Sequence, residues 1–384
     1  MTEQLDRARH SGRAASGGPA GSGTAADSGT ITPGGGVPGG EAPDREAPAQ
    51  TSRHSGAITT GRHRVRYWGV MALLGGLSVF FTAGILSYDN PMPFGTEGYW
   101  LIARMRAETV LVIGVVVLAQ AMATVAFQTA TNNRIITPSI MGFESLYVAI
   151  QTGAVFFFGI AGVTLVTGLP QFLMQAAAMV LFAVILYSWL LSGRFSNIHI
   201  MLLVGVVLGG GLGSLATFMQ RVLTPSEFDV LTARLFGNIG NARGEYLPYA
   251  IPIVLAAALL LWWRARRLNV VALGRNTAEN LGVDHRREVM LILTLVSVLM
   301  AMSTSLVGPM TFLGFLVATL AYQFADTYSH RMLFPMAILI GYTILAGAYF
   351  VMRNIFYAQG AVTLIIELLG GIVFLIVLMR KGRL

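Results

Sequence analysis

The chain has 384 residues, of which 54% are hydrophobic and only 11% charged, with a formal net charge of +8. Soluble domains carry about a quarter charged residues, so the chain as a whole is not a soluble protein. It lacks cysteine, which excludes a disulfide framework, a thiolate metal site and a thiol nucleophile, and its basic excess reads as positive-inside bias rather than as a nucleic-acid face.

Residues 1–60 are rich in Gly, Ala, Ser, Pro and Thr and nearly devoid of large apolar side chains. Such a segment cannot offset its ordering entropy, so a disordered cytosolic tail is expected. It holds no apolar h-region and is not a secretory signal peptide. Residues 61–384 read as one all-α transmembrane domain. A span needs about 20 apolar residues. Apolar runs cut by polar or Gly/Pro punctuation place ten helices near 67–86, 107–129, 139–158, 171–191, 198–222, 246–263, 288–306, 310–324, 332–351 and 362–379. Arg62, Arg64 and Arg66 precede the first, Arg264, Arg266 and Arg267 follow the sixth, and Arg380, Lys381 and Arg383 end the chain. With an even span count these clusters share one side, which puts both termini in the cytosol; Arg134, Arg194 and Arg331 agree. Arg104, Arg106, Arg221, Arg234, Arg243 and Arg353 fall on the other side.

Inside the spans, Gly205, Gly209, Gly210, Gly211 and Gly213 share one helix, as tight packing or a thin wall beside a pathway would require. Gln120 and Gln128 share a face of the second helix, and Glu144, Tyr147 and Gln151 share a face of the third. They line a pathway or staple helices; the pattern fits both. Glu367 stands between Ile366 and Leu368 in the last helix. A carboxylate at bilayer depth costs on the order of 3 kcal/mol, so Glu367 is expected to face protein or water, as a helix–helix hydrogen bond, a proton site or a pathway residue.

A polar island, Val271-Ala272-Leu273-Gly274-Arg275-Asn276-Thr277-Ala278-Glu279-Asn280-Leu281-Gly282-Val283, interrupts the apolar runs and is ringed by Arg264, Arg266, Arg267, Arg286 and Arg287. Gly274 and Gly282 are expected helix stops, and Arg275 and Glu279 are spaced to pair at i, i+4. The residues alone allow two readings of loop 264–287: a helical knob that docks into a partner protein, or an amphipathic loop resting on lipid headgroups. The histidines (His10, His54, His63, His199, His285, His330) show no metal-ligand spacing, and no phosphate-binding P-loop occurs.

The island resembles the cytosolic coupling loop of the permease subunits of bacterial iron-chelate and vitamin B12 ABC importers. Gly308-Pro309-Met310-Thr311-Phe312-Leu313-Gly314 is similar to a Gly-Pro-x-x-Phe-x-Gly signature of that family. The segment from Gln128 through Pro138 to Gly142 is similar to the family's connection between second and third spans. The resemblance covers roughly residues 66–384. Asn132-Asn133-Arg134, Thr137-Pro138-Ser139-Ile140-Met141-Gly142, Glu144-Ser145-Leu146-Tyr147 and Val317-Ala318-Thr319-Leu320-Ala321-Tyr322-Gln323 resemble the catechol-siderophore branch, of petrobactin and anguibactin type. Where the B12 and hydroxamate branches carry a Pro-His pair and an Arg, Ala318, Thr319 and Tyr322 stand here.

This resemblance implies a type II importer permease of ten helices in the cytoplasmic membrane, paired with a second permease chain. The second chain is a sister chain or another copy. Two ATPase subunits, which bind ATP and Mg, dock below, and an external siderophore-binding protein docks above. No cofactor or metal is implied on this chain, no catalytic residue, and a ferric siderophore as cargo. Leu273, Gly274, Arg275, Ala278, Glu279, Leu281, Gly282 and Val283 would couple to the ATPase; Arg104, Arg106 and Arg353 would meet carboxylates of the binding protein. Two rivals stay open: a B12 or haem importer of the same family, and a proton-coupled secondary transporter working through Glu144 and Glu367.

Overall fold

The computed structural model describes residues 61–165, 168–192, 198–235, 239–242, 244–356 and 362–381. The expected tail 1–60, with Arg194, Arg243 and Arg383, lies outside them. The described residues form α1 (Gly61–Ser87), α2 (Glu97–Ala130), α3 (Glu144–Leu165), α4 (Leu169–Ser192), α5 (Ile198–Val222), α6 (Pro225–Leu235), α7 (Leu247–Trp263), α8 (Ala265–Val271), α9 (Arg275–Asn280), α10 (His285–Val307), α11 (Leu313–Ala325), α12 (His330–Asn354) and α13 (Val362–Lys381). Among the described residues, eight helices are long and apolar enough to cross a membrane, and α11 and α13 contribute two shorter apolar segments. The protein is all-α and polytopic.

The core is built on α2 and α10. From Val112 to Ala130 nearly every side chain of α2 is buried, as are fourteen residues of α10. A helix that is apolar all round belongs inside a bundle; α2 touches α1, α7, α10, α11 and α12. At several points a glycine leaves a notch that a side chain of the neighbouring helix fills. A Cβ on Gly341 would stand 2.8 Å from Val117, one on Gly84 would stand 2.7 Å from Phe350, and one on Gly314 would collide with Thr124. The outer faces carry exposed Trp68, Phe80, Trp189, Phe218 and Trp263, which suit hydrocarbon rather than water.

Three departures from the sequence expectation have physical causes. Helix α2 begins ten residues early. Thr96 caps it, its hydroxyl accepting from the Tyr99 N–H at 3.3 Å, with Glu97 in the positive first turn. The 34 residues span about 51 Å, more than the ~30 Å of hydrocarbon, so Arg104 and Arg106 ride on the helix itself. The third span opens with a π turn over Ser139–Phe143, in which Gly142 takes φ 102°. That turn presses against α5: the Gly209 Cα is 3.0 Å from where a Gly142 Cβ would lie, and Met141 fills the space above Gly205. Gly210 and Gly211 face open space on the same helix, so the α5 glycines serve close packing on one side only. Finally, α6 stands where no helix is expected. Thr224-Pro225-Ser226-Glu227 forms a capping box: the Glu227 carboxylate accepts from the Thr224 N–H (3.0 Å) and hydroxyl (2.8 Å), the Glu227 N–H reaches Thr224 Oγ1 (3.4 Å), and Pro225 opens the first turn. Leu231 anchors the helix in the bundle.

The bundle has two distinguishable ends. At one, His63 of α1 contacts the Ala325 carbonyl (3.0 Å), Tyr67 donates to the Met332 carbonyl (2.9 Å), and α8 packs on α2 and α12. At the other, Arg106 of α2 meets the end of α1, and Tyr88 stacks edge-on against Phe350 of α12 at 5.6 Å. The loop between α7 and α10 sits at the first end.

Candidate functional site

The loop is built by two short helices and two glycines. Gly274 (φ 90°) lies between α8 and α9 and starts α9 rather than stopping a helix; its carbonyl receives the Ala278 N–H at 3.0 Å. Gly282 (φ 78°) does stop α9. The Gly282 N–H returns to the Glu279 carbonyl (3.0 Å) and the Val283 N–H to the Ala278 carbonyl (2.9 Å), the paired bonds of a Schellman motif. Both positions need the left-handed backbone that glycine adopts freely. Ala278 is fully buried and anchors α9 from below. Leu273 and Leu281, at 59% and 60% exposure, stand proud on either side. Arg275 Nε and Glu279 Oε1 pair at 2.9 Å across the exposed face.

Behind the knob, buried Glu288 receives Arg264 (2.7 Å) and Arg267 (3.2 Å), tying α7 and α8 to the start of α10. Asp284 caps α10 by accepting from the Arg287 N–H at 3.1 Å. A cavity of about 440 Å³ opens beside these groups, lined by Arg264, Arg267, Arg287, Asp284 and Glu288. The knob is thus an exposed apolar pair on a rigidly capped, charge-braced base.

The membrane-depth polar residues divide. Gln120 donates to Ser303 Oγ at 3.2 Å and joins α2 to α10. Gln128 donates to the Arg134 carbonyl at 2.9 Å and closes the turn after α2, while Arg134 stacks over Tyr322 at 4.6 Å. Buried Glu144 accepts from the Thr311 hydroxyl, so the Gly308–Gly314 motif and the segment ending at Gly142 meet; its other oxygen has no hydrogen-bond partner. Glu367 is half-buried on α13, close enough to Glu144 to interact with it electrostatically. Tyr147 and Gln151 instead face a cavity of about 530 Å³ between α3, α4, α6 and α10, in the size range of small-molecule sites.

Sequence reasoning did not assemble this cavity. Its other polar walls are Gln171, Gln175, Arg234 and Ser305, with Tyr246 stacked on Phe172 at 4.9 Å. Gln151 donates to Gln175 Oε1 at 2.7 Å, and Tyr147 donates to the Arg234 carbonyl at 3.2 Å. Gln151 Oε1, Gln175 Nε2 and Ser305 Oγ are buried without partners. The legible signals were the i, i+4 pair Gln171/Gln175 in an otherwise apolar helix and the capping box that raises α6 over the opening.

The three expected docking arginines also separate. Arg104 is exposed. Arg353 is half-exposed, its guanidinium 3.3 Å from the Tyr349 hydroxyl. Arg106 is buried, and its guanidinium donates to the carbonyls of Tyr88 (2.6 Å), Asp89 (2.9 Å) and, at longer range, Ile85 (3.4 Å). It closes the carbonyl end of α1, where helix ends lack internal partners and the dipole favours a cation.

Comparison with known proteins bears on the whole described domain. Residues 68–380 match the model of the FecCD transport family. The chain is 46% identical over 333 residues to the petrobactin import system permease protein FatC of Bacillus anthracis, covering 87% of this chain and 94% of that one. It is 37% identical over 315 residues to the petrobactin import system permease protein YclO of Bacillus subtilis, covering 82% and 98%. In structure it superimposes on a metal-chelate-type ABC transporter in an inward-facing conformation with a TM-score of 0.69 at 21% identity, covering 81% of this chain and 99% of that one, which supports the fold. A match over most of the chain means that this protein belongs to the FecCD transport family and is a membrane permease subunit of the ABC-importer class.

Proposed function

We propose that this subunit moves a ferric siderophore across the cytoplasmic membrane, with petrobactin-type catechol chelates as the first cargo to try. The strongest support is 46% identity along almost the full length of a permease named for petrobactin import. The arginine-rich end bearing α8 and α9 faces the cytosol, in accord with the positive-inside rule. There the Leu273–Leu281 knob docks into an ATPase subunit, which holds ATP and Mg. At the opposite end Arg104 and Arg353 meet a siderophore-binding protein and orient it. The chelate enters between this chain and a second permease, and the polar cavity at Tyr147 and Gln151 wets one wall of that route. ATP binding and hydrolysis in the partner displace the knob and change which side the route opens to. The chain performs no covalent chemistry.

The test is reconstitution in vesicles with sister permease, ATPase and binding protein. Ferric-petrobactin uptake should require ATP on the ATPase side and survive a protonophore. Uptake that persists without ATP and collapses with the protonophore would instead indicate a proton-coupled carrier. Transport of cobalamin or haem in place of the ferric chelate would reassign the cargo.

A further inference from the structure

A buried polar chain links the loop to the bundle. Asn269 lies on α8, two residues before that helix ends. Its Oδ1 receives the His330 backbone N–H at 3.0 Å and contacts His330 Nδ1 at 2.6 Å. On the other side of the ring, Nε2 is 2.7 Å from Thr129 Oγ1, at the end of α2, and that hydroxyl lies 2.9 Å from the Val125 carbonyl. His330 is 3% exposed.

The partners fix the proton positions. An amide oxygen only accepts, so Nδ1 carries the hydrogen and both lone pairs of Asn269 Oδ1 are used. Nε2 is then the acceptor, and it shares the single Thr129 hydroxyl proton with the Val125 carbonyl. Ser329, at the N-cap of α12, makes no side-chain cap bond, and Asn269 caps that terminus from another helix. One side chain therefore holds α8, the start of α12 and the end of α2 together. The covalent links of α8 run to α7, through Arg264, and to α9, through Gly274. Nothing in the chain sequence ties it to α12 or α2.

We propose that Asn269, acting through His330, is a positioning residue of the coupling step. It makes a displacement of the loop move α12 and α2, instead of being absorbed at Arg264 and Gly274. This rests on the reading of the loop as the ATPase-docking element.

The test uses the full transporter in vesicles and reads chelate imported per ATP hydrolysed. Because the chain has no cysteine, one spin label at Arg266→Cys, exposed on α8, and one at Tyr328→Cys also report the loop and the α12 end. Asn269→Leu removes the acceptor at similar volume from a half-exposed site; Asn269→Asp keeps it. With Asn269→Leu, import per ATP should fall about 5-fold or more, ATP hydrolysis should continue, and the Arg266–Tyr328 distance should change on ATP binding where it stays fixed in the otherwise unmodified chain. Asn269→Asp should restore both. An unchanged import ratio with Asn269→Leu, or a loss that Asn269→Asp does not restore, overturns the proposal. If Asn269→Leu fails to assemble, Thr129→Val cuts the same chain at its far end and is judged by the same ratio. Absence of ATP-dependent uptake in the unmodified complex would sink the importer reading itself, a separate outcome.

Discussion

Replacing Arg106 by alanine separates a structural cation from a docking one. Two of its contacts are short, 2.6 Å to the Tyr88 carbonyl and 2.9 Å to that of Asp89, and the 3.4 Å contact to Ile85 adds little. A hydrogen bond to a charged group contributes about 1.5–3 kcal/mol. Tyr88 and Asp89 are exposed, so water can replace part of the loss at their carbonyls. A net destabilisation of about 2–4 kcal/mol follows. At about 2 °C per kcal/mol for a domain of this size, Arg106→Ala should lower the unfolding midpoint of the purified permease by about 4–8 °C. Arg106→Lys should recover only part of that, because a single ammonium cannot fork to two carbonyls. Arg104→Ala, on the same helix but exposed, should leave the midpoint within about 1 °C. Calorimetry or a thermal-shift assay in detergent checks all three. The reasoning is refuted if Arg106→Ala melts with the unmodified protein while its affinity for the binding protein drops.

Leu281→Arg should leave expression and melting unchanged, since that side chain is exposed, but abolish ATP-driven uptake and copurification of the ATPase; uptake at the normal rate would disprove the docking role. Gly142→Ala should cost about 1–3 kcal/mol, for its positive φ and its 3.0 Å approach to Gly209, whereas Gly210→Ala, with open space around it, should melt normally; equal midpoints would contradict the packing described. Arg104→Glu should slow binding-protein association at low ionic strength, with the difference shrinking as salt is raised; a salt-independent rate would remove Arg104 from the interface.

Much of this architecture could be read from hydrophobic runs. The bounds of α5 follow from uninterrupted apolar composition, and the Schellman stop at Gly282 from a glycine after a short polar helix. What failed to show did so for reasons of chemistry. Arg104 and Arg106 break the apolar pattern and mask the start of α2, which the Thr96 cap sets. Helix α6 is too polar to register as a span, although its capping box was present in the sequence. The pairing of Glu144 with Thr311, 167 residues apart, and the cavity around Gln151 and Gln175 depend on which helices lie side by side. Periodicity identifies a helix face but not the helix opposite it. The same limit explains Arg106: its direction depends on the carbonyls of a neighbouring helix.

The contact between Gly142 and Gly209 has a mechanical consequence. Interlocked side chains resist any rotation, because every knob must leave its hole before a helix can turn. At this crossing the main chain of Gly142 touches that of Gly209, and the Met141 side chain is seated over Gly205 one turn away. The π turn and α5 therefore cannot come nearer at that point, as a hinge pin sets the gap of a door, and the Met141 knob must leave Gly205 before either can turn.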